Sequence, residues 1–164
     1  MNRPIVVMGP SGSGKTTLAV LLAQALGRPY IEGDDLHPPA NRERMARGQA
    51  LTDTDRIPFL DAVGEALRTT PQPIVTCSAL KRAYRDRLRS SAPNVLFVEP
   101  KVSRDELHRR VTSRRGHFMP VSLVDDQVAI LENLQADEAG LVLDGTLTTA
   151  EQLASVLAEL AHLR

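Results

Sequence analysis

Tryptophan is absent, and two tyrosines and three phenylalanines bring the aromatic share to only 3%. Bases of single-stranded nucleic acid stack on aromatic platforms, and this chain has almost nothing to build one from. Charge of one sign is also missing: 20 Lys and Arg balance 20 Asp and Glu, for a net charge of zero. A general electrostatic grip on nucleic acid or on an anionic membrane is therefore not expected. Cysteine occurs once, as Cys77, so no internal disulfide can form and a reducing compartment fits. No apolar leader precedes the first predicted strand and no apolar run approaches membrane-spanning length. The expectation is a cytoplasmic protein with neither nucleic acid nor membrane as partner.

What is present is an ordinary globular balance, 42% hydrophobic and 24% charged over 164 residues, enough for one domain with a full core. Its organising stretch is Gly9-Pro10-Ser11-Gly12-Ser13-Gly14-Lys15-Thr16. This is G-x-x-x-x-G-K-T, the P-loop pattern, and it has the required context. Ile5 to Met8 form a short apolar run before it, and Leu18, Leu21, Leu22, Ala25 and Leu26 recur at helical spacing after it. Glycines let the chain curl so that successive N–H groups point at phosphate oxygens, and the helix N-terminus adds partial positive charge. Gly9, Ser11, Gly12, Ser13, Gly14, Lys15, Thr16 and Thr17 are the nucleotide-binding candidates. Lys15 reaches for the β- and γ-phosphates, and Thr16 offers a hydroxyl to Mg²⁺. ATP and Mg²⁺ are the implied cofactors.

The remaining pattern alternates strand and helix. Strands are predicted at 3–8, at Tyr30 and Ile31, at 74–77, at 95–98 and at 141–143. Helices are expected over 15–26, over a polar stretch 40–48, after the capping groups of Thr52 to Asp55 with Pro58 near the start, and on a basic helix striped by Leu80, Tyr84 and Leu88. Ser103-x-x-Glu106 and Thr148-x-x-Glu151 read as capping boxes, and Val121, Val124, Val128 and Leu131 stripe a further helix. This is an α/β P-loop fold: a five-stranded parallel sheet flanked by helices on both faces, with a small lid. No linker or repeat divides it, so residues 1–164 form a single domain.

Several features choose among P-loop proteins. The third strand ends Thr76-Cys77-Ser78, without the aspartate that commonly supplies a second Mg²⁺ contact, and no N-K-x-D guanine reader is present. The metal-side carboxylate must come from Glu32, Asp34 or Asp35, at the C-terminal end of the second strand, and ligands in open α/β folds bind outside the carboxyl ends of the strands. A kinase acting on an alcohol needs a carboxylate to orient the hydroxyl and take its proton, a role given to Asp34, leaving Glu32 for the metal. His37 either binds a substrate oxygen or fixes the turn before Pro38-Pro39. Cys77 reads as a packed small hydrophobe. The arginines on the helix after strand three read as solvated surface, with Lys81 and Arg82 the exceptions nearest the strand end. Arg109, Arg110, Arg114 and Arg115 flank a glycine loop, and a mobile loop carrying arginines suits phosphoryl transfer. Arg114 is the catalytic choice there, and Arg109 is expected to face solvent.

Beyond the P-loop, the chain resembles the gluconate kinases of the shikimate-kinase-like group. The resemblance is carried by Glu32-Gly33-Asp34-Asp35-Leu36-His37-Pro38, Ala40-Asn41, Met45, Leu51-Thr52-Asp53-Thr54-Asp55-Arg56, Cys77 to Asp86, Arg114 to Met119, Gln127, Leu131-Glu132 and Asp137-Glu138. It implies ATP-dependent phosphorylation of D-gluconate at the 6-hydroxyl, a substrate-binding segment over 34–60, a lid over 114–120 and a homodimer. It also implies that Lys15, Asp34 and Arg114 are catalytic and that Arg56 meets the gluconate carboxylate or hydroxyls. His37 and Lys81 are further substrate contacts, and Arg110 borders the adenine. Ala50, Phe59, Asp126 and Val128 stand where that pattern usually has proline, tryptophan, serine and phenylalanine, and Asn133-Leu134-Gln135 also departs from it. Competing readings are a kinase for shikimate, a nucleotide or another sugar acid, and an ATP-binding regulatory module without turnover.

Overall fold

The computed structural model describes residues 3–113 and 120–163. Arg114 and the rest of the expected lid up to Met119 lie outside the described residues. Five strands, β1 (Ile5–Val7), β2 (Tyr30–Glu32), β3 (Ile74–Thr76), β4 (Leu96–Lys101) and β5 (Gly140–Asp144), form one parallel sheet in the order β2-β3-β1-β4-β5. Around it lie α1 (Lys15–Leu26), α2 (Pro39–Ala46), α3 (Asp53–Thr69), α4 (Arg82–Ser91), α5 (Arg104–Ser113), α6 (Val121–Ile130) and α7 (Thr149–His162). The expected five-stranded α/β fold is the one observed.

Strand periodicity decides which helices cover which face. Ile5 and Val7 of β1 point to one side, where Leu18 and Leu22 of α1, Val156 of α7, Ile74, Leu96 and Val98 complete a buried cluster. Val6 and Met8 point to the other, against Phe59, Val63 and Leu67 of α3, Leu88 of α4, Val75 and Phe97. A central parallel strand buried on both faces has no polar residue to spare, so β1 reads as an unbroken apolar run. Leu107 and Val111 of α5 meet Val124 of α6 in a third, smaller cluster beside the P-loop.

Three local expectations are corrected. Pro58 is not at the start of α3 but one full turn inside it. Thr52 and Asp55 close a reciprocal capping box that starts the helix upstream of it. Leu80 precedes α4 rather than lying on it. The Ser103 hydroxyl accepts from the Glu106 N–H, but the Glu106 carboxylate does not complete the box: it pairs with Arg109 and Arg110 instead. Two guanidinium partners outcompete one backbone amide for an ionised carboxylate.

Candidate active site

The loop between β1 and α1 curls because Gly9, Gly12 and Gly14 take φ of 138°, 88° and 87°, values that side chains with a Cβ rarely adopt. The Gly9 N–H donates to the Ser78 carbonyl at 3.1 Å, tying the loop to the end of β3. Ser13 is buried and its hydroxyl has no hydrogen-bond partner among the described residues. Lys15 Nζ donates to the Pro10 carbonyl at 3.1 Å, bracing the loop across its mouth. Thr16 and Thr17 are exposed at the start of α1. Arg110 of α5 holds the outside of the loop, donating to the Gly12 carbonyl at 3.2 Å and the Gly145 carbonyl at 2.8 Å.

Beside the loop, the ends of β2 and β3 form a carboxylate cradle. Thr16 Oγ1 donates to Glu32 Oε2 at 2.9 Å, and the Tyr30 hydroxyl donates to the same oxygen. Thr76 Oγ1 donates to Glu32 Oε1 at 2.9 Å while accepting the Gly33 N–H at 3.0 Å. Burial opposes ionisation of Glu32, but the hydrogen bonds from Tyr30, Thr76 and Thr16 hold its carboxyl below the ordinary value. Burial, joined by the bond to Glu32, pushes the Tyr30 phenol up to about 12, so it stays a donor. Gly33 then opens a 3-10 turn over Gly33–Leu36. A Cβ at Gly33 would lie 1.8 Å from the Thr76 carbonyl oxygen, so only glycine lets this turn leave the sheet edge.

That turn delivers Asp34 to a cavity of about 570 Å³, whose wall includes Ser11, Lys15, Thr16 and Glu32. Asp34 is accessible to solvent at this wall, yet the surrounding protein desolvates its carboxyl and raises its pKa, against the attraction of Lys15. The far wall is His37, Arg42 and Arg56, and α6 closes one side with Leu123, Asp126 and Gln127. Arg56 is only 7% exposed, and its Nε has no hydrogen-bond partner among the described residues. Its guanidinium lies 5.3 Å from the centre of the Tyr84 ring. His37 stacks on Phe59 with ring centroids 3.7 Å apart and planes 7° from parallel. Burial, then the charges of Arg56 and Arg42, push the His37 pKa down to about 4, so the ring is neutral near pH 7.

The structure thus brings Lys15, Thr16, Glu32, Asp34, His37 and Arg56 to one cavity. It does not bring Lys81 there: its ammonium pairs with Asp53 at 3.0 Å, and the Tyr84 hydroxyl donates to the same carboxylate. Arg82 is held bidentately by Asp137, away from the cavity wall. Cys77 is buried, and burial pushes its thiol up to about 12, which suits a packing residue. Residues that sequence reasoning gave no role include Arg42 and Asp126 on the wall, Thr76 and Tyr30 in the cradle, and Gln127, whose Oε1 accepts the Ser11 N–H at 2.7 Å. Asp126 and Ala50, two of the departures from the family pattern, both line the cavity, and a third, Phe59, carries the His37 stack.

Known proteins share this arrangement of chain. A family profile described as an AAA domain matches residues 5–134. The gluconokinase of Gluconobacter oxydans (strain 621H) is 48% identical over 147 residues, covering 87% of this chain and 83% of that protein. A probable gluconokinase of Schizosaccharomyces pombe (strain 972 / ATCC 24843) is 43% identical over 167 residues, covering 96% of this chain and 86% of its own length. The crystal structure of a gluconokinase from Sinorhizobium meliloti 1021 superposes with a TM-score of 0.91 at 46% identity, covering 99% of this chain and 93% of that one.

Proposed function

The chain belongs to the gluconokinase family, phosphotransferases built on the P-loop fold, and from that premise we propose that it transfers the γ-phosphoryl group of ATP to the 6-hydroxyl of D-gluconate, giving 6-phospho-D-gluconate and ADP. The observation that carries the substrate half is one cavity lined both by Lys15 and Thr16 of the P-loop and by a buried Arg56 whose Nε is unpartnered among the described residues. A buried cation with spare donors calls for an anion, and a planar guanidinium matches a carboxylate through two parallel hydrogen bonds.

In this reading the amides of Gly12 to Thr17 clasp the triphosphate and Lys15 neutralises its terminal oxygens. Asp34 accepts a hydrogen bond from the 6-hydroxyl. As the new O–P bond forms, the bond to the β-phosphate oxygen breaks, ADP leaves with that electron pair, and the hydroxyl proton passes to the Asp34 carboxylate. A pKa raised by burial makes Asp34 a better acceptor than an ordinary aspartate. His37 and Arg56 hold the sugar acid, and Lys81 supports that wall through Asp53 and Tyr84. Arg110 steadies the loop carbonyls next to the nucleotide, and Arg114 supplies a cation to the developing charge when the lid closes.

The cradle fits a divalent cation. Thr16 and an ionised Glu32 are 2.9 Å apart, and no group of three or more His, Cys, Asp or Glu among the described residues would hold a metal alone. A hard cation there would complete its shell with phosphate oxygens and water. Mg²⁺ bound at Thr16, with Glu32 on the metal or its water, would offset the charge of the β- and γ-phosphates.

No helix among the described residues is long and apolar enough to cross a membrane. We take the enzyme to work in the cytoplasm as a homodimer, a state that light scattering on the purified protein measures. The chemistry is tested by an ADP-release assay over sugar acids and polyols. Gluconate should give the highest kcat/KM, and strong turnover of another alcohol with none of gluconate would refute the reading. Asp34→Asn should bind ATP as the wild type does while kcat falls about 100- to 10,000-fold, the range of a lost general base. Wild-type turnover in that variant would remove Asp34 from the mechanism.

A further inference from the structure

His37, just before the Pro38 N-cap of α2, and Asn41, in the first turn of that helix, are both buried, at 8% and 4% exposure. Asn41 Nδ2 lies 2.8 Å from the Asp55 carbonyl oxygen. A carbonyl can only accept, so the side-chain atom facing it must be the amide nitrogen. That nitrogen carries two hydrogens and is no acceptor. It also lies 3.3 Å from His37 Nδ1. The second contact can be a hydrogen bond only if Nδ1 presents its lone pair. In a neutral imidazole the proton then resides on Nε2.

Everything else around the ring agrees with a neutral state in that orientation. The stack on Phe59 fixes the ring plane. Arg42 from α2 and Arg56 from α3 oppose a positive charge on the ring. Asp34 and Asp35, from the 3-10 turn, share the cavity with it, the Asp35 backbone carbonyl accepting from Arg42, and Asp55 spends its carboxylate on Thr52 and Arg44. No carboxylate is hydrogen-bonded to the ring among the described residues. With Nδ1 taken by Asn41, the polar atom left for the cavity is Nε2–H, a neutral donor beside the cationic Arg56.

We propose that Asn41 is a positioning residue that locks His37 into the Nε2–H tautomer, so that the ring donates a hydrogen bond to a hydroxyl of the sugar acid while Arg56 takes its carboxylate. The inference rests on the sugar-acid reading for its ligand but not for its tautomer. A neutral donor discriminates: it rewards a hydroxyl oxygen and is left unpaired by a deoxy analogue, which costs more than a missing apolar contact.

The direct test is the ¹⁵N spectrum of the imidazole nitrogens in protein labelled at its four histidines, with the His37 signals assigned by their loss in His37→Gln. The expected result is an Nε2-protonated, Nδ1-unprotonated ring from pH 5.5 to 8. Asn41→Ala should give a mixture of tautomers, and Asn41→Asp, which offers Nδ1 an acceptor, should move the proton to Nδ1 and bring the ring's titration up into that window. In kinetics, Asn41→Ala should raise KM for gluconate about tenfold with kcat and the KM for ATP within twofold. The wild type should prefer gluconate about tenfold over the deoxygluconate lacking the contacted hydroxyl, and Asn41→Ala should lose that preference. A wild-type ring protonated on Nδ1, or one titrating between pH 6 and 8, overturns the inference whatever the substrate, and so does an Asn41→Ala enzyme with unchanged KM and unchanged preference. An enzyme inert to gluconate whose ring still carries Nε2–H overturns the substrate reading alone.

Discussion

His37 shows how a single side chain can be read twice, as a ligand contact and as a burden on the fold. Its pKa is lowered from 6.5 to about 4 because a protonated ring would be buried beside Arg56 and Arg42. For a base depressed on folding, the native state is favoured in full above the unfolded pKa. As pH falls below about 6.5 the unfolded chain takes up a proton that the native ring refuses, and stability is lost progressively until the native ring titrates near 4. At roughly 1.4 kcal/mol per unit, the whole window is about 3 kcal/mol. Urea unfolding at intervals from pH 7 to 4.5 should therefore show a fall in stability that His37→Gln makes shallower by most of that amount. Equal slopes in the two proteins would mean that the ring is already protonated, or solvated, in the native state.

At the scale of elements, the site depends on the three-residue strands β2 and β3 ending level with each other. Their register pairs Glu32 with Thr76, and this pairing lets one threonine hydroxyl bridge the Gly33 amide and the Glu32 carboxylate. Thr76→Val preserves shape and β-propensity but removes both bonds. It should cost about 1–3 kcal/mol, the penalty for a buried amide left unpaired, and should weaken apparent Mg²⁺ affinity, because Glu32 loses one of its tethers. Chemical denaturation and a Mg²⁺ titration of activity measure the two effects. Gly33→Ala should be worse, since its methyl would collide with backbone and push the Asp34 turn off the sheet edge. This bridge also marks where sequence reading stops. The P-loop, the alternation of strand and helix and the acids after β2 were legible because each is a local pattern with a local cause. Thr76 looked like one more β-branched strand residue, since its partner lies 44 positions away. Gln127 was visible only as a family match, as its bond to the Ser11 amide spans 116 positions. Glu106 carried a cap signature and spent its charge on two arginines, a choice that only packing decides.

For the whole molecule, the proposed function has the two substrates share one cavity but grip different parts of the protein. In the proposed reading the phosphates rest on the β1–α1 loop, at the heart of the sheet, whereas the sugar acid rests on residues of the turn before α2 and of α2 and α3. The two parts meet at α6: Gln127 touches the P-loop, and a Cβ on Gly48, just beyond α2, would lie 3.6 Å from Pro120 at the start of that helix. Each ligand should therefore stabilise the protein by itself. At 100 times its Kd a ligand adds about 2.7 kcal/mol. In a domain of this size that raises Tm by roughly 5–10 °C. Arg56→Lys keeps the charge but loses the planar fork, so gluconate affinity should fall about 10- to 100-fold, in line with about 1.5–3 kcal/mol for hydrogen bonds to a charged group. Thermal unfolding should then show the shift from gluconate shrinking to between about a half and a sixth of its wild-type size at the same concentration, with the shift from Mg²⁺ and a non-hydrolysable ATP analogue intact. If both shifts shrink together, Arg56 supports the fold of the cavity as a whole. If neither does, the sugar acid is held by other groups, and the buried cation has a different partner.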